Sequence, residues 1–162
     1  EFKSSFLDDW YNREGTSVLL LKGEGGVGKT TIAQFISNYF LQKNKNTSKV
    51  YIDSNEARKF LIKDYKKKTS IDLYDLYKAS SEKNVLDNFY FKYNLDAGNF
   101  FLIIDGIDEL ISKVENFDIS RLLHSIKEFN SEIKNTKIII TCRTYFWSIN
   151  EFEEIDFNIL KI

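Results

Sequence analysis

The sequence lacks several features, and each absence excludes a class of protein or of partner. Its one cysteine, Cys142, excludes a disulfide within the chain, which suits a reducing compartment such as the cytoplasm. No apolar run approaches the roughly 18–20 residues of a membrane-spanning helix, and no signal peptide is apparent. The formal net charge of −1 provides no basic excess for nucleic acid or membranes. We therefore expect a cytoplasmic domain with neither of those partners.

Methionine and proline are absent altogether, and the chain opens at Glu1. Because there is not even an initiator methionine, we expect the sequence to be excised from a longer, multidomain polypeptide. The apolar and charged fractions, 43% and 29%, are those of an ordinary globular protein. We interpret residues 1–162 as a single domain, long enough to bury a substantial core.

A glycine-rich stretch organises the sequence: residues 23–30, GEGGVGKT, match the phosphate-binding pattern GxxxxGK(S/T) at every fixed position. The apolar run Val18–Leu21 predicts a buried strand before it, and apolar residues at helical spacing follow it. Glycines let backbone N–H groups wrap a polyphosphate, and the helix start directs a positive dipole end at it. We assign nucleotide binding to Gly23, Glu24, Gly25, Gly26, Val27, Gly28, Lys29, Thr30 and the adjoining Thr31.

Two positions in the sequence suit a magnesium ion. The Thr30 hydroxyl is an oxygen ligand of the kind Mg²⁺ takes, while Lys29 can reach the β- and γ-phosphates as a point charge. Asp105 follows the apolar run Phe100–Ile104, so it ends a predicted buried strand at the Walker B position. Its carboxylate is expected to hold Mg²⁺ directly or through a water.

Two more acids follow Asp105 within four residues. One carboxylate is enough for the metal, so the others suggest a base that orients and polarises an attacking water. Glu109 is the first candidate for this catalytic role and Asp108 the second. The alternative is that these acids cap or solvate the start of the next helix, where acidic residues are also favoured.

A further candidate group ends the predicted strand Lys137–Thr141. Arg143 can distinguish a triphosphate from a diphosphate through charge-assisted bonds to the γ-phosphate, or it can simply form a structural salt bridge. Thr141 is a candidate for hydrogen bonding the phosphate or the water. Cys142 is expected in the core, since free cysteine is among the most buried residue types.

Predicted strands and helices alternate along the chain, which indicates an α/β fold with a parallel sheet and a ligand at the carboxyl ends of its strands. Helices are predicted over residues 2–14, 28–42, 117–133 and, in two or three pieces, 55–95; strands are predicted over residues 50–53, 100–105, 137–141 and 155–162. Apolar helix faces are assigned to Ile32, Phe35, Ile36, Tyr39 and Phe40, and to Leu86, Phe89, Tyr90 and Tyr93.

Three strings together resemble the NACHT family of the STAND class of P-loop ATPases: residues 23–30, residues 101–110 (FLIIDGIDEL) and residues 138–143 (IIITCR). The small residue after Asp105, followed by paired acids, resembles NACHT more than the related NB-ARC branch. The resemblance covers essentially the whole chain. It implies a three-layer α/β/α P-loop NTPase with a mainly parallel five-stranded sheet of order 5-1-4-3-2.

The resemblance also implies a function. Family members hold ADP in a closed monomer, exchange it for ATP when a sensor domain meets its trigger, and form homo-oligomers that activate an effector. Bacterial members are often antiphage defence proteins and animal members innate immune receptors. By the same resemblance, Lys29 and Thr30 contact phosphate and Mg²⁺, Asp105 holds Mg²⁺, Glu109 is the hydrolytic acid and Arg143 senses the γ-phosphate. The segment Trp10–Gly15 is a candidate for the adenine pocket.

Other functions share these motifs. A continuously cycling AAA-like ATPase would present an arginine to a neighbouring subunit, and the chain offers few: Arg13, Arg58, Arg121 and Arg143. A GTPase should carry Asn-Lys-x-Asp after a late strand, but the nearest string, residues 44–47, lacks the Asp and follows the first helix after the loop. A P-loop kinase would need a second-substrate pocket and an arginine-bearing lid. A nucleotide binder that scarcely hydrolyses also stays open.

Overall fold

The computed structural model describes residues 4–12, 17–64, 70–81, 85–115, 117–131, 136–147 and 157–162. Its elements, in chain order, are α1 (Ser4–Asn12), β1 (Ser17–Gly23), α2 (Lys29–Lys43), β2 (Ser48–Asp53), α3 (Ser54–Asp64), α4 (Leu73–Ser80), α5 (Asn88–Asp96), β3 (Phe100–Asp105), α6 (Asp108–Lys113), α7 (Ile119–Ser131), β4 (Lys137–Arg143) and β5 (Phe157–Lys161), with a short 3-10 helix at Thr144–Phe146.

The strands form a sheet of order β2-β3-β4-β1-β5, and every pairing among the described residues is parallel. This confirms the α/β fold with a parallel sheet, and β4 lies between β1 and β3 as expected. The edge strand β5 pairs with Val18–Lys22 of β1. It falls inside the segment predicted to close the sheet, of which residues 155 and 156 lie outside the described residues.

Helices cover both faces of the sheet, which explains why the central strands are continuous apolar runs. On one face, α1 and α2 pack on a set of strand residues that we call the α2-side core; on the other, α3 to α7 pack on a larger cluster. The strand members of the α2-side core are Leu19, Leu21, Phe101, Ile103 and Ile139. Strand residues one position away in sequence belong to the other cluster, because successive side chains point to opposite faces.

The apolar faces assigned to two helices were partly wrong. On α2, Phe35 is exposed, and the buried apolar positions are Ala33, Ile36 and Phe40. On α5, the aromatic stripe that includes Phe89 faces solvent, and Phe91 and Leu95 are the buried residues instead. Both α5 stripes contain residues four apart, so helical periodicity alone cannot choose between them.

The fold brings the polar, carboxyl-terminal ends of four strands together. We call this end of the sheet the carboxyl edge, as distinct from the edge strands β2 and β5. The glycine-rich loop leaves β1 after Gly23, which pairs with Arg143 at the end of β4. Asp53 and Asp105, the last residues of β2 and β3, pair with each other. The candidate site residues therefore converge at the position where open α/β sheets bind ligands.

A search of the described residues for membrane-spanning segments found no helix with the length and apolar character to cross a bilayer.

Candidate functional site

The loop at the carboxyl edge adopts the backbone conformation that its glycines permit. Gly26 and Gly28 have φ of 80° and 86°, in the left-handed region that other residues rarely occupy. A Cβ atom built on either of them meets no heavy atom within 4 Å, so the space above the loop is open. Gly28 directly precedes the first residue of α2, and the helix N-terminus therefore opens into this space.

Lys29, the first residue of α2, reaches back over the loop. Its Nζ donates hydrogen bonds to the carbonyl oxygens of Gly23, at 3.0 Å, and Glu24, at 2.7 Å. The ammonium group is thus already held beside the open space, in reach of a bound anion. A phosphate there would meet the lysine charge and the helix N–H groups together.

The Asp105 carboxylate accepts hydrogen bonds from hydroxyl groups on three different elements. Thr30 of α2 donates to both of its oxygens, at 2.8 Å to Oδ2 and 3.1 Å to Oδ1. Thr141 of β4 donates to Oδ1 at 2.5 Å, and Tyr51 of β2 donates to Oδ2 at 2.7 Å. The structure therefore brings together three of the residues singled out in the sequence, and adds Tyr51.

The pleat of the sheet explains this cluster. Ile103 and Ile139 belong to the α2-side core, so Asp105 and Thr141, two residues further along their strands, point to the same face. Because β2, β3 and β4 are neighbours, their side chains meet in one row at the edge. Thr30, in the first turn of α2, closes the cluster from above the sheet.

Tyr51 was not recognised as a site residue from the sequence, where it is only one position of a predicted strand. Its ring is half-buried against the α2-side core. Burial, followed by the hydrogen bond to Asp105 and the charges of Asp105 and Asp53, raises the pKa of the phenol, so the hydroxyl keeps its proton. The one feature that could have indicated Tyr51 is the position of β2 beside β3. That position follows from the strand order and not from any sequence motif.

The oxygen groups of this cluster fit Mg²⁺. A carboxylate and a threonine hydroxyl are hard oxygen ligands, and Mg²⁺ commonly takes one or two carboxylates, with substrate phosphates and waters completing its octahedron. Within the described ranges, no group of three or more His, Cys, Asp or Glu side chains could hold a metal by themselves. The cluster beside the loop therefore suits a metal that binds with a phosphate ligand.

The turn after Asp105 is fastened to β4. The backbone N–H of Gly106 donates to the Thr141 hydroxyl at 2.8 Å, and that of Ile107 donates to the Thr141 carbonyl at 3.0 Å. Gly106 has φ of 72°, which lets the chain reverse at once into α6. The bonds fix Asp108 and Glu109, at the start of α6, relative to Thr141 and Arg143.

Arg143 is held by Asp108. Its Nε lies 3.2 Å from Asp108 Oδ2, and its backbone N–H donates to Oδ1 at 3.2 Å. The Asp108 side chain is 6% exposed, while that of Arg143 is 52% exposed, so a buried carboxylate anchors an arginine that projects outward. Asp108 is thus engaged with the arginine, an arrangement more suited to positioning Arg143 than to activating water.

Glu109 is the more available acid. It forms an ion pair with Lys113 at 2.7 Å, and Arg143 Nη2 lies 3.9 Å from its other oxygen. The Lys113 hydrogen bond first, and then the charges of Lys113, Arg58 and Arg143, lower the pKa of Glu109. At neutral pH the side chain is an ionised carboxylate with part of its surface open to solvent, as a base acting on water requires.

The remaining candidate residues either lie away from this cluster or fall outside the residues that the structure describes. Trp10 is buried in the α2-side core, and its carbonyl oxygen lies 3.4 Å from Nζ of Lys137, at the start of β4. Trp10 therefore lies at the end of the sheet opposite the glycine-rich loop, and its suggested part in an adenine pocket stays a prediction. Residues 13–15 of that segment, including Arg13, lie outside the described residues. Cys142 is buried, as predicted, and burial raises the pKa of its thiol to about 12.

Comparison with known proteins relates this geometry to a fold. The chain resembles the ORC2 protein of Aeropyrum pernix, solved in ADPNP–ADP complexes, at 15% identity and a TM-score of 0.62, covering 98% of this chain and 46% of that one. It also resembles a Walker-type ATPase of Pyrococcus abyssi at 18% identity and a TM-score of 0.55, covering 99% and 53% of the two chains. A third neighbour is the flagellar accessory protein FlaH of Methanocaldococcus jannaschii, at 18% identity and a TM-score of 0.52, with 93% and 72% covered.

At these identities the neighbours establish the fold alone, that of the P-loop NTPases. The chain spans about half the length of the first two. The comparison with curated proteins gave no match. The sequence itself matches one family over residues 12–160, nearly its whole length, and that family is described as novel STAND NTPase 3. The chain therefore belongs to the novel STAND NTPase 3 family, within the STAND class of NTPases that its motifs had indicated.

Proposed function

We propose that this chain is the nucleotide-binding domain of a STAND signalling protein, in which bound ATP or ADP sets the state of the molecule and hydrolysis is slow. The observation that carries the proposal is the convergence at the carboxyl edge. There the glycine-rich loop, the Asp105 carboxylate with the Thr30 hydroxyl, and Glu109 beside Arg143 lie at the ends of adjoining elements. Each is a group that triphosphate hydrolysis needs.

Phosphate binding falls to the loop in this proposal. Backbone N–H groups of Gly23–Thr31 surround the β- and γ-phosphates, and Lys29 exchanges its bonds to the loop carbonyls for bonds to phosphate oxygens. Thr30 and Asp105 hold Mg²⁺, which when bound neutralises charge on the phosphates. Thr141 keeps the Asp105 carboxylate in place, and it remains our candidate for a hydrogen bond to the attacking water or the phosphate.

Hydrolysis requires a base on the far side of the γ-phosphate. We assign this role to Glu109, whose carboxylate is ionised and partly open to solvent. We assign Asp108 to positioning, because it holds Arg143 through both the guanidinium and the backbone N–H. Arg143 then senses the γ-phosphate, which competes with Asp108 and Glu109 for its guanidinium group.

A switch follows from that competition. With ADP, the Arg143 guanidinium remains on the two acids of α6; with ATP, it is drawn toward the γ-phosphate, and the restraint on α6 changes. A ligand shifts such an equilibrium only by its differential affinity for the two states, and here Arg143 provides the difference. In the complete protein, this change would permit homo-oligomerisation, with flanking sensor and effector domains supplying the trigger and the output.

We place adenine nucleotides ahead of guanine nucleotides. The guanine-reading Asn-Lys-x-Asp motif is absent from the sequence, and one neighbour of similar fold was solved with ADPNP and ADP. A role in defence against phage or in innate immunity rests on the NACHT-like motifs and is an analogy from fold to biology.

The test is to purify the longest stable form of the protein without added nucleotide, denature it, and identify the released nucleotide by chromatography. The proposal predicts close to one ADP per chain, because a closed switch exchanges slowly. Exchange of that ADP for ATP should then raise the molecular mass measured by light scattering. An empty site with fast exchange, or a mass independent of the nucleotide, would contradict the switch.

A continuously cycling ATPase is the second candidate, favoured by the Walker-type ATPase of similar fold. Its arginine for a neighbouring subunit could be Arg121, whose side chain is 55% exposed and pairs with Asp118 on α7. Sustained turnover on the order of 1 per second or faster would support this reading against a slow switch.

A further inference from the structure

Three hydroxyl groups donate to Asp105, and their four contacts are divided evenly between its two oxygens. An ionised carboxylate offers about four acceptor positions. Thr30 shares its single hydroxyl proton between the two oxygens, Thr141 donates to Oδ1, and Tyr51 donates to Oδ2. Thr30 is also a proposed ligand of the metal, so its hydroxyl turns toward the cation when one binds. Thr141 and Tyr51 are then the side chains that hold the carboxylate, one from each side.

Tyrosine is suited to this position because of its length. Tyr51 pairs in register with Ile103, whereas Asp105 lies two residues further along β3, about 6–7 Å of strand. The phenol oxygen spans that separation and reaches Oδ2 at 2.7 Å. A serine or threonine at the same position is too short for this contact. The ring is half-buried against the α2-side core, so the hydroxyl is presented by a packed group on a strand and not by a mobile one.

Side chains that hydrogen bond to a metal-binding carboxylate determine which of its lone pairs face the metal. With Oδ1 bonded to Thr141 and Oδ2 to Tyr51, rotation of the carboxylate would break at least one short hydrogen bond. Removal of the phenol leaves Oδ2 with no strand donor and frees that rotation. The carboxylate must then be ordered at the moment the metal binds, and this ordering costs affinity.

We propose that Tyr51 is a positioning residue for the magnesium-binding carboxylate: its hydroxyl holds Asp105 from the β2 side so that the Mg²⁺-nucleotide complex binds without rearrangement. The inference rests on the proposed function, because it requires Asp105 to serve the metal. It assigns to β2, a strand outside the recognised motifs, a specific part in the metal-dependent step.

The test measures the affinity of the 162-residue chain for ATP by isothermal titration, once with Mg²⁺ and once with EDTA. The ratio of the two Kd values reports how far Mg²⁺ strengthens binding. We expect Tyr51→Phe to lower this ratio by about 10-fold, the lower range for loss of an outer-shell partner, with the Kd in EDTA unchanged within about 2-fold.

The matched control is Tyr74→Phe. Tyr74 is also half-buried, and its hydroxyl donates to the Leu86 carbonyl at 3.1 Å, on the opposite face of the sheet. This variant should keep the wild-type ratio, and thermal unfolding of both variants confirms that they are folded. A Tyr51→Phe ratio equal to that of wild type would overturn the inference, as would an equal loss with Mg²⁺ and EDTA. A wild-type ratio near one would instead overturn the proposed metal role of Asp105, and this inference with it.

Discussion

The two edges of the sheet bury polar groups in opposite ways. At the carboxyl edge, Asp105 accepts short hydrogen bonds from hydroxyls of three surrounding elements. At the other edge, here called the amino edge, Lys137 is buried beside the Trp10 carbonyl, at 3.4 Å, with the Tyr11 ring 5.8 Å away. The first arrangement stabilises a charge that a ligand can use. The second accommodates a charge within an aromatic core.

The packing of the amino edge supports this contrast. The Tyr11 and Phe40 rings are stacked with centroids 4.0 Å apart, and Trp10 meets Phe40 and Phe101 edge-on at 6.1 and 6.2 Å. Burial lowers the pKa of Lys137 to about 8, since desolvation disfavours the charged amine. Burial of a titratable group therefore does not by itself mark a function. What distinguishes the carboxyl edge is a set of donors converging on one carboxylate beside an open loop.

The largest change that we expect is a loss of folding stability on substitution of Trp10, at the amino edge. Trp10→Ala removes a side chain that is 1% exposed, and it should lower the free energy of unfolding by about 3–5 kcal/mol, as expected for a large aromatic in a core. Denaturant unfolding measures this loss. ATP affinity under conditions where the variant is folded should match wild type. A large loss of affinity in the folded variant would show that the two edges are not separate.

The next effect belongs to catalysis at the carboxyl edge. Glu109→Gln should slow ATP hydrolysis by on the order of 100-fold or more, the usual scale for losing a general base, while ATP affinity stays close to wild type. Single-turnover hydrolysis measures this rate. Glu56→Gln is the control, because Glu56 forms an ion pair of similar length within its own helix, with Lys59 at 2.6 Å. If both variants hydrolyse ATP at the wild-type rate, Glu109 has no catalytic part.

A third prediction concerns ATP affinity and compares lysines at the two ends of α2. Lys29→Ala should weaken ATP binding by roughly 10–100-fold, the loss of one or two charge-assisted hydrogen bonds. Lys43→Ala is the matched control, since Lys43 ends the same helix and pairs with Asp8 at 3.3 Å near the amino edge. Calorimetric titration with ATP measures the affinity of both variants, and only Lys29→Ala should bind more weakly than wild type. Equal affinities would contradict the assignment of the loop to phosphate.

The smallest effect concerns the buried lysine. The folded-state pKa of Lys137, about 8, lies below the ordinary value of 10.5. Between these two pH values the unfolded chain therefore binds more protons than the folded one. The free energy of unfolding should then rise as the pH increases from about 8 to 10.5. Lys137→Met should remove this rise and, because it removes a desolvated charge from the fold, raise the free energy of unfolding at pH 7. Unfolding midpoints measured across that pH range, for wild type and variant, test both points. Parallel pH profiles would mean that Lys137 keeps its ordinary pKa.

Sequence reasoning found the parts of the site that depend on contiguous residues. The loop needs its glycines, lysine and threonine in fixed order, and Asp105 follows an apolar run of strand length. The pairing of Asp108 with Arg143 was considered only as a generic salt bridge, because the distance between α6 and β4 is not encoded in either string. Tyr51 was missed for a related reason: its contact with Asp105 requires β2 to lie beside β3 in one particular register.

The amino edge was harder to predict. Trp10 stands in a helical pattern that says which residues share a face but not which element covers them, so its burial in the α2-side core could not be predicted. Lys137 begins a strand of isoleucines, and sequence gives no sign that a lysine there is buried. The two α5 stripes, represented by Phe89 and Phe91, differ only in what packs against them.

The most direct test of the central claim is a crystal structure of the chain grown with Mg²⁺ and a non-hydrolysable ATP analogue. We expect the triphosphate in the open space above Gly26 and Gly28, with Lys29 turned from the loop carbonyls to the phosphates. We also expect Mg²⁺ at the Thr30 hydroxyl and Asp105, and the Arg143 guanidinium moved from Asp108 toward the γ-phosphate. A nucleotide bound elsewhere, or an Mg²⁺ ion held without Thr30 and Asp105, would contradict the proposed site.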